Sequence, residues 1–171
     1  MANQTSSLIG ADLSGLGGST MLFALGTPAV GSGDSYWCYC EFTATAITGQ
    51  LVIINQFGTA KVMLSSRFTA NAGGIDIGAA QNLVNQGEFA WVAKKGRGLY
   101  VLTSCSFTAG NYEAGYGIGA NSGRLIAGTN VGAGNTLLGI FITSSVGTAD
   151  YAPGVPTLAT FTWPRMASGG G

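Results

Sequence analysis

Histidine is absent from the 171 residues. That removes the usual general base of serine and cysteine hydrolases and the commonest metal ligand. Charge is scarce as well: 8% of residues are Asp, Glu, Lys or Arg, against roughly 25% in an ordinary soluble domain. Seven basic side chains balance seven acidic ones. No basic field exists to displace counterions from a phosphate backbone, so no nucleic-acid partner is expected. Cysteine occurs three times, too few for a disulfide scaffold and, without histidine, too few for a zinc or haem site, so no cofactor or metal is expected. Long apolar runs are missing too. The stretch Met21–Val30 is broken by Gly26 and Pro28 and falls far short of the ~20 residues of a membrane helix, so no membrane partner is expected. The opening residues Met1–Ser7 carry no basic segment and no apolar run of the kind that directs secretion. The Asn3-Gln4-Thr5 sequon then reads as chance, and synthesis in a reducing cytoplasm is the expectation.

What is present is apolar and rich in glycine. Hydrophobic residues make up 46% of the chain, and 29 residues are glycine. A chain this apolar and this poorly charged is the reverse of a charge-driven disordered one. Its neutral surface associates readily unless something covers it.

Residues 1–35 mix glycine, serine and threonine with Leu8, Leu13, Leu16, Met21, Leu22, Phe23 and Leu25. The glycines oppose a stable isolated helix, and the apolar side chains oppose a solvated linker. The expectation is an extended N-terminal arm that orders by lying on an apolar surface, with those seven side chains as its interface.

From residue 36 the pattern turns to β. Tyr36–Thr45 is aromatic and β-branched, Gln50–Asn55 is a short apolar run, and Phe57-Gly58-Thr59 is a turn leading into Lys61–Leu64. Asp76–Asn85 shows weak helical spacing at Ile77, Ala80, Leu83 and Val84, the one place a short helix is expected. Phe89–Ala93 and Gly98–Thr103 read as strands joined by a turn at Lys94-Lys95-Gly96-Arg97. Residues 110–134 alternate short strands with glycine turns, Leu137–Ser144 is a strong strand, and Leu158–Trp163 is the last before Pro164. Seven or more short strands separated by glycine turns define an all-β chain, a small barrel or sandwich over 36–164. Residues 165–171 read as a flexible C-terminal tail.

Few residues offer chemistry. There is no Gly-x-Ser-x-Gly elbow, and Gly15–Thr20 resembles a phosphate loop without the lysine or the preceding strand. The carboxylates Asp12, Asp34, Glu41, Asp76, Glu88, Glu113 and Asp150 are scattered and read as solvated turn residues; an acid/base pair formed in space stays open. Cys38 and Cys40 flank Tyr39 and would share one strand face, side by side yet poorly placed for a mutual disulfide. They and Cys105 read as buried free thiols. Lys94, Lys95 and Arg97 form the one basic cluster, an exposed turn that could also contact an acidic partner surface. Trp37, Trp91, Trp163, Tyr36, Tyr39 and Tyr100 fall within strands and read as core, with a carbohydrate-binding aromatic platform as the sharper alternative.

The order of these strands carries a resemblance. Gln50-Leu51-Val52-Ile53-Ile54 with its turn and return strand is followed by Gln86-Gly87-Glu88-Phe89-Ala90-Trp91-Val92, then Gly98-Leu99-Tyr100-Val101, then Leu138-Gly139-Ile140-Phe141-Ile142-Thr143, and ends on Thr160-Phe161-Thr162-Trp163-Pro164. From Tyr36 to Pro164 this resembles the capsid decoration (cement) and virion structural proteins of tailed bacteriophages. The resemblance implies a non-enzymatic β-rich subunit on the outer capsid lattice, with the major capsid protein as partner. It also implies a homo-oligomer, a trimer by preference, and localisation to the virion. A tail-tube or fibre subunit, or a carbohydrate-binding or hydrolase module of a phage tail, is the alternative.

Overall fold

The strands Ser35–Phe42 and Leu51–Ile54 bury both of their faces, and that explains why they read as nearly continuous apolar runs. All four residues of the strand Leu51–Ile54 are buried, and the strand Ser35–Phe42 buries all but Tyr36 and Glu41. Alternation then sorts the side chains into two cores. One contains Cys38, Cys40, Phe42, Val52, Ile54, Ala60, Val62, Ala80, Ala90 and Val92. The other takes the residues between them, including Trp37, Tyr39, Leu51, Ile53, Ala79, Trp91 and Ala93.

The computed structural model describes residues 12–13, 15–63, 76–103, 114–116, 123–127, 136–143 and 156–166. Within them lie ten strands: β1 Pro28–Gly31, β2 Ser35–Phe42, β3 Leu51–Ile54, β4 Thr59–Val62, β5 Asp76–Ala80, β6 Phe89–Leu102, β7 Ala114–Tyr116, β8 Leu125–Ala127, β9 Thr136–Ile142 and β10 Pro156–Met166. The fold is all-β, as the sequence implies. β2 pairs in parallel with β4, β4 with β3, β3 with β5, β5 with β6, and β6 back with β2. These five strands close a ring, and the first core, of small side chains and Phe42, is its filling. β10, β9, β7 and β8 continue the sheet from the second half of β6. Ile140, Ile142, Ala159 and Phe161 from these outer strands cover the other face of the ring strands in the second core.

Three irregularities in pairing shape the ring. Tyr36 pairs with Lys95 and the next residue, Trp37, with Ala93, so Lys94 is an extra residue on β6. Ala159 pairs with Leu99 and Phe161 with Gly96, which places a second extra residue at the glycines of β6. Phe161 pairs with Ile140 and Arg165 with Leu138, so β10 swells outward around Trp163. Bulges of this kind bend a strand and re-aim side chains.

Two expectations are corrected. The helix expected over Asp76–Asn85 is absent: Asp76–Ala80 is β5, with Ile77 opposite Ile53. The helical spacing was accidental, because Leu83 points to solvent and Gly78 serves close packing of β5 on β6. A Cβ at Gly78 would lie 2.5 Å from Val92 Cγ1 and 2.7 Å from the Ala93 carbonyl oxygen. The turn expected at Lys94–Arg97 is also absent. β6 runs unbroken for 14 residues, and the glycines there make bulges inside the strand.

The sheet begins before Tyr36, since β1 pairs with the first half of β2. The chain leading into it lies on its own barrel. Gly18 and Phe89 exchange backbone hydrogen bonds of 3.1 and 2.8 Å, and the Leu22 amide donates to the Tyr39 hydroxyl at 3.1 Å. Phe23 packs at 5.2 Å from the rings of both Tyr39 and Trp91. Residues 1–11 and 167–171 lie outside the described residues, so the expected tail contributes only Arg165 and Met166, both in β10.

Candidate functional site

The ring's filling stops at one end in a set of side chains unlike the rest of the core. Along β6 the interior residues Ala90 and Val92 are followed by Lys94, and along β2 the interior line runs from Phe42 through Cys40 and Cys38 to Tyr36. Regular pairing would set one residue opposite Tyr36. The bulge sets two there, Lys94 and Lys95. The Lys94 side chain is 11% exposed and its ammonium binds the Asp76 carboxylate at 2.5 Å. Asp76 opens β5 and is itself 61% exposed. The ammonium also lies over two aromatic rings, 5.7 Å from the centre of Tyr36 and 5.4 Å from that of Trp163. The two rings meet at 4.8 Å with a 54° tilt. One positive charge is thus held by one carboxylate and two π faces.

Trp163 reaches this position through an unusual backbone. Its φ is +60°, a left-handed conformation that glycine adopts freely and a tryptophan does not. A non-glycine residue pays about 1–2 kcal/mol for it. The swelling of β10 between Phe161 and Arg165 imposes it, and the ring that results is 44% exposed at the rim. Asp34, also at φ +60°, sits beside the same end and binds Lys95. Strained residues persist where the surrounding structure over-determines them, and they gather at binding sites.

Tyr36, Asp76 and Lys94 also line a cleft of about 250 Å³, with Cys38, Asn55, Gln56, Gly26, Pro28, Ile54 and Gly58 and without Trp163. The mouth of a small barrel is a common place for a ligand. Asn55 shapes its wall: its side-chain oxygen accepts from the amides of Phe57 at 2.9 Å and Thr59 at 3.0 Å, closing the β3–β4 turn. Cys38 and Cys40 are free thiols. The Cys40 hydrogen bond to the Cys38 sulfur holds the Cys38 thiol below its ordinary range, and the Lys94 charge acts in the same direction against the opposing effect of burial. Cys40, the donor and the deeper of the two, is pushed up by that bond and by burial. In the neutral pair the Cys40 sulfur lies 3.6 Å from the Cys38 carbonyl oxygen, so its proton has that acceptor as well.

The residues singled out from sequence are dispersed. Leu8, Cys105, Glu113 and Asp150 lie outside the described residues. Leu13 is buried in the chain's own core, with Phe23 and Leu25 packed partly against it. Leu16, Met21 and Leu22 are exposed, and Leu16 and Leu22 border a second cleft of about 180 Å³ floored by Phe23, Tyr39, Phe89 and Trp91. Of the basic cluster, Lys94 is in the mouth, Lys95 is half-buried beside Asp34, and Arg97 is exposed. Tyr36, Asp76 and Trp163 were not recognised as one site with Lys94. The available signal was a lysine immediately after the apolar run Phe89–Ala93.

Among the described residues, no three side chains of the metal-ligating types lie together, and no helix is long and apolar enough to cross a membrane. Comparison with known protein families, curated proteins and solved structures finds no match to this chain.

Proposed function

We propose that this chain is a non-enzymatic virion structural protein, a decoration subunit that binds the outer face of a tailed-bacteriophage capsid and stabilises the head. The observation that carries the reading is the exposed apolar row on the segment ahead of β1. Leu16 is 81% exposed and Leu22 73%, with Met21 beside them. That segment is not a loose tail, because Gly18 is bonded to Phe89 and Leu22 to Tyr39. Large apolar side chains held outward on a fixed backbone, on a chain that is 8% charged, fit a surface meant to be covered. The all-β fold is compatible with such a subunit.

In this reading the partner is the major capsid protein, and the subunit clusters with copies of itself, a trimer first, at a local symmetry axis. A protein that binds only the assembled shell adds its binding free energy to shell stability by mass action. Repetition over a closed lattice makes many modest contacts act together. In this role the closed five-stranded ring transmits load between its contacts and catalyses nothing.

The test uses heads stripped of the protein. They should release DNA at a lower temperature than native heads, and re-adding the native chain should restore the difference. The double variant Leu16→Ser, Leu22→Ser should fold with native stability, because both side chains are exposed, yet fail to occupy stripped heads. Full occupancy by that variant would remove the apolar row from the account. Occupancy of tails in place of heads would establish the tail-subunit alternative.

A further inference from the structure

We propose that the barrel mouth is a binding site for a neutral saccharide, with Trp163 as its stacking platform and Asp76 and Lys94 as its hydrogen-bonding pair. This goes beyond a role on the capsid and does not depend on it.

The charge arrangement narrows the ligand. Lys94 is the buried cation of the site, and Asp76 already neutralises it at 2.5 Å. An anionic ligand would have to displace that carboxylate, and its charge would face the exposed oxygen of Asp76. An organic cation fails for the opposite reason: it would meet as a like charge the Lys94 ammonium that already lies over the Tyr36 and Trp163 rings. A purely apolar ligand would cover the Asp76 carboxylate and the Gln56 amide without satisfying them, and a buried polar group left unpaired opposes binding.

A neutral polyhydroxylated ring meets all three conditions. Its hydroxyls donate to the free lone pairs of Asp76 and accept from the remaining N–H groups of Lys94. These are charge-assisted hydrogen bonds, and the salt bridge orients both partners in advance. Its C–H face is apolar and flat enough to lie on an indole. Trp163 offers such a face at the rim, 44% exposed and held from behind by Tyr36 at 4.8 Å. The strained backbone at φ +60° serves this display. A tryptophan in ordinary extended conformation would need no such bulge, and a chain selected for stability alone would place glycine there. The cleft of about 250 Å³, which shares Tyr36, Asp76 and Lys94 with this cluster, has room for about one sugar residue.

The probes are cellohexaose, maltohexaose and chitohexaose, titrated separately into the purified full chain, with tryptophan fluorescence and heat of binding as readouts. At least one should bind with a dissociation constant in the millimolar range or tighter and shift the emission. Trp163→Gly relieves the left-handed strain while removing the platform, so it should stay folded and lose affinity by about tenfold or more. Asp76→Asn should stay folded and weaken binding through the hydroxyls. Absence of binding by all three sugars at millimolar concentration would overturn the proposal. So would native affinity in both folded variants. Neither result bears on capsid occupancy, which the stripped-head experiment reads separately.

Discussion

Removing either member of the Lys94–Asp76 pair should have unequal consequences. Lys94 is inside the mouth and Asp76 mostly outside it, 11% against 61% exposed. Truncating Asp76 to alanine leaves an ammonium in the mouth with two aromatic rings but without its carboxylate. Breaking a fully buried pair in this way costs about 3–5 kcal/mol. Asp76 is largely hydrated, so solvent screening weakens its share, and about 1–2 kcal/mol is the expected loss. Lys94→Met keeps an unbranched stem of similar volume and removes the desolvated charge, while the carboxylate left behind stays in water. Replacing a buried ion by a matched apolar group is commonly neutral, so the expected change is within about 1 kcal/mol of native. In the Lys94→Met background the Asp76→Ala change should then cost less than about 0.5 kcal/mol, as for an ordinary surface substitution. Urea unfolding of the four proteins, with equal slopes, measures each value and the coupling between them. If Asp76→Ala costs as much in the Lys94→Met background as in the native chain, the pair is not what stabilises the mouth. If Lys94→Met is the more damaging single change, the asymmetry of burial has been misread.

Three further outcomes are expected. Gly78→Ala should destabilise by about 1–3 kcal/mol in urea, because its Cβ would come 2.5 Å from Val92 Cγ1 with the Ala93 backbone behind it, whereas Gly87→Ala, with open space but φ +83°, should cost only the left-handed strain of about 1–2 kcal/mol. Iodoacetamide followed by peptide mapping should label Cys38 ahead of Cys40 in the native protein, since the Cys38 thiol is held low by Cys40 and Lys94 while Cys40 is buried and pushed up; equal labelling would contradict that order. Lys94→Met should shift the onset of Cys38 labelling to higher pH, because the ammonium that favours the thiolate is gone.

The all-β class and most strand positions were legible because apolar runs bounded by glycine turns carry that information directly. The register was not. β5 looked helical because Ile77, Ala80, Leu83 and Val84 happen to fall at helical spacing, and nothing in the sequence reveals that Gly78 is needed for contact with Val92. The middle of β6 looked like a turn because Lys94-Lys95-Gly96-Arg97 has turn composition, yet long-range pairing with β2 and β10 overrides that local preference. The mouth depends on bulges, which are differences in residue count between partner strands and have no local signature. Lys94 was therefore placed with Lys95 and Arg97 at an exposed turn, although its partners Tyr36, Asp76 and Trp163 come from three other strands. Leu13 was placed on the interface of the arm because its glycine-rich surroundings hid that it fills the chain's own core.

The most direct test of the proposed decoration role is a reconstruction, by electron cryomicroscopy, of tailed-phage particles to which the purified chain has been added. The expected result is density for a five-stranded ring on the outer face of the capsid, repeated over the lattice and grouped about a local symmetry axis, with the segment bearing Leu16 and Leu22 turned toward the shell or a sister subunit. A particle lacking the chain, or one carrying it only in the tail, would contradict the decoration role.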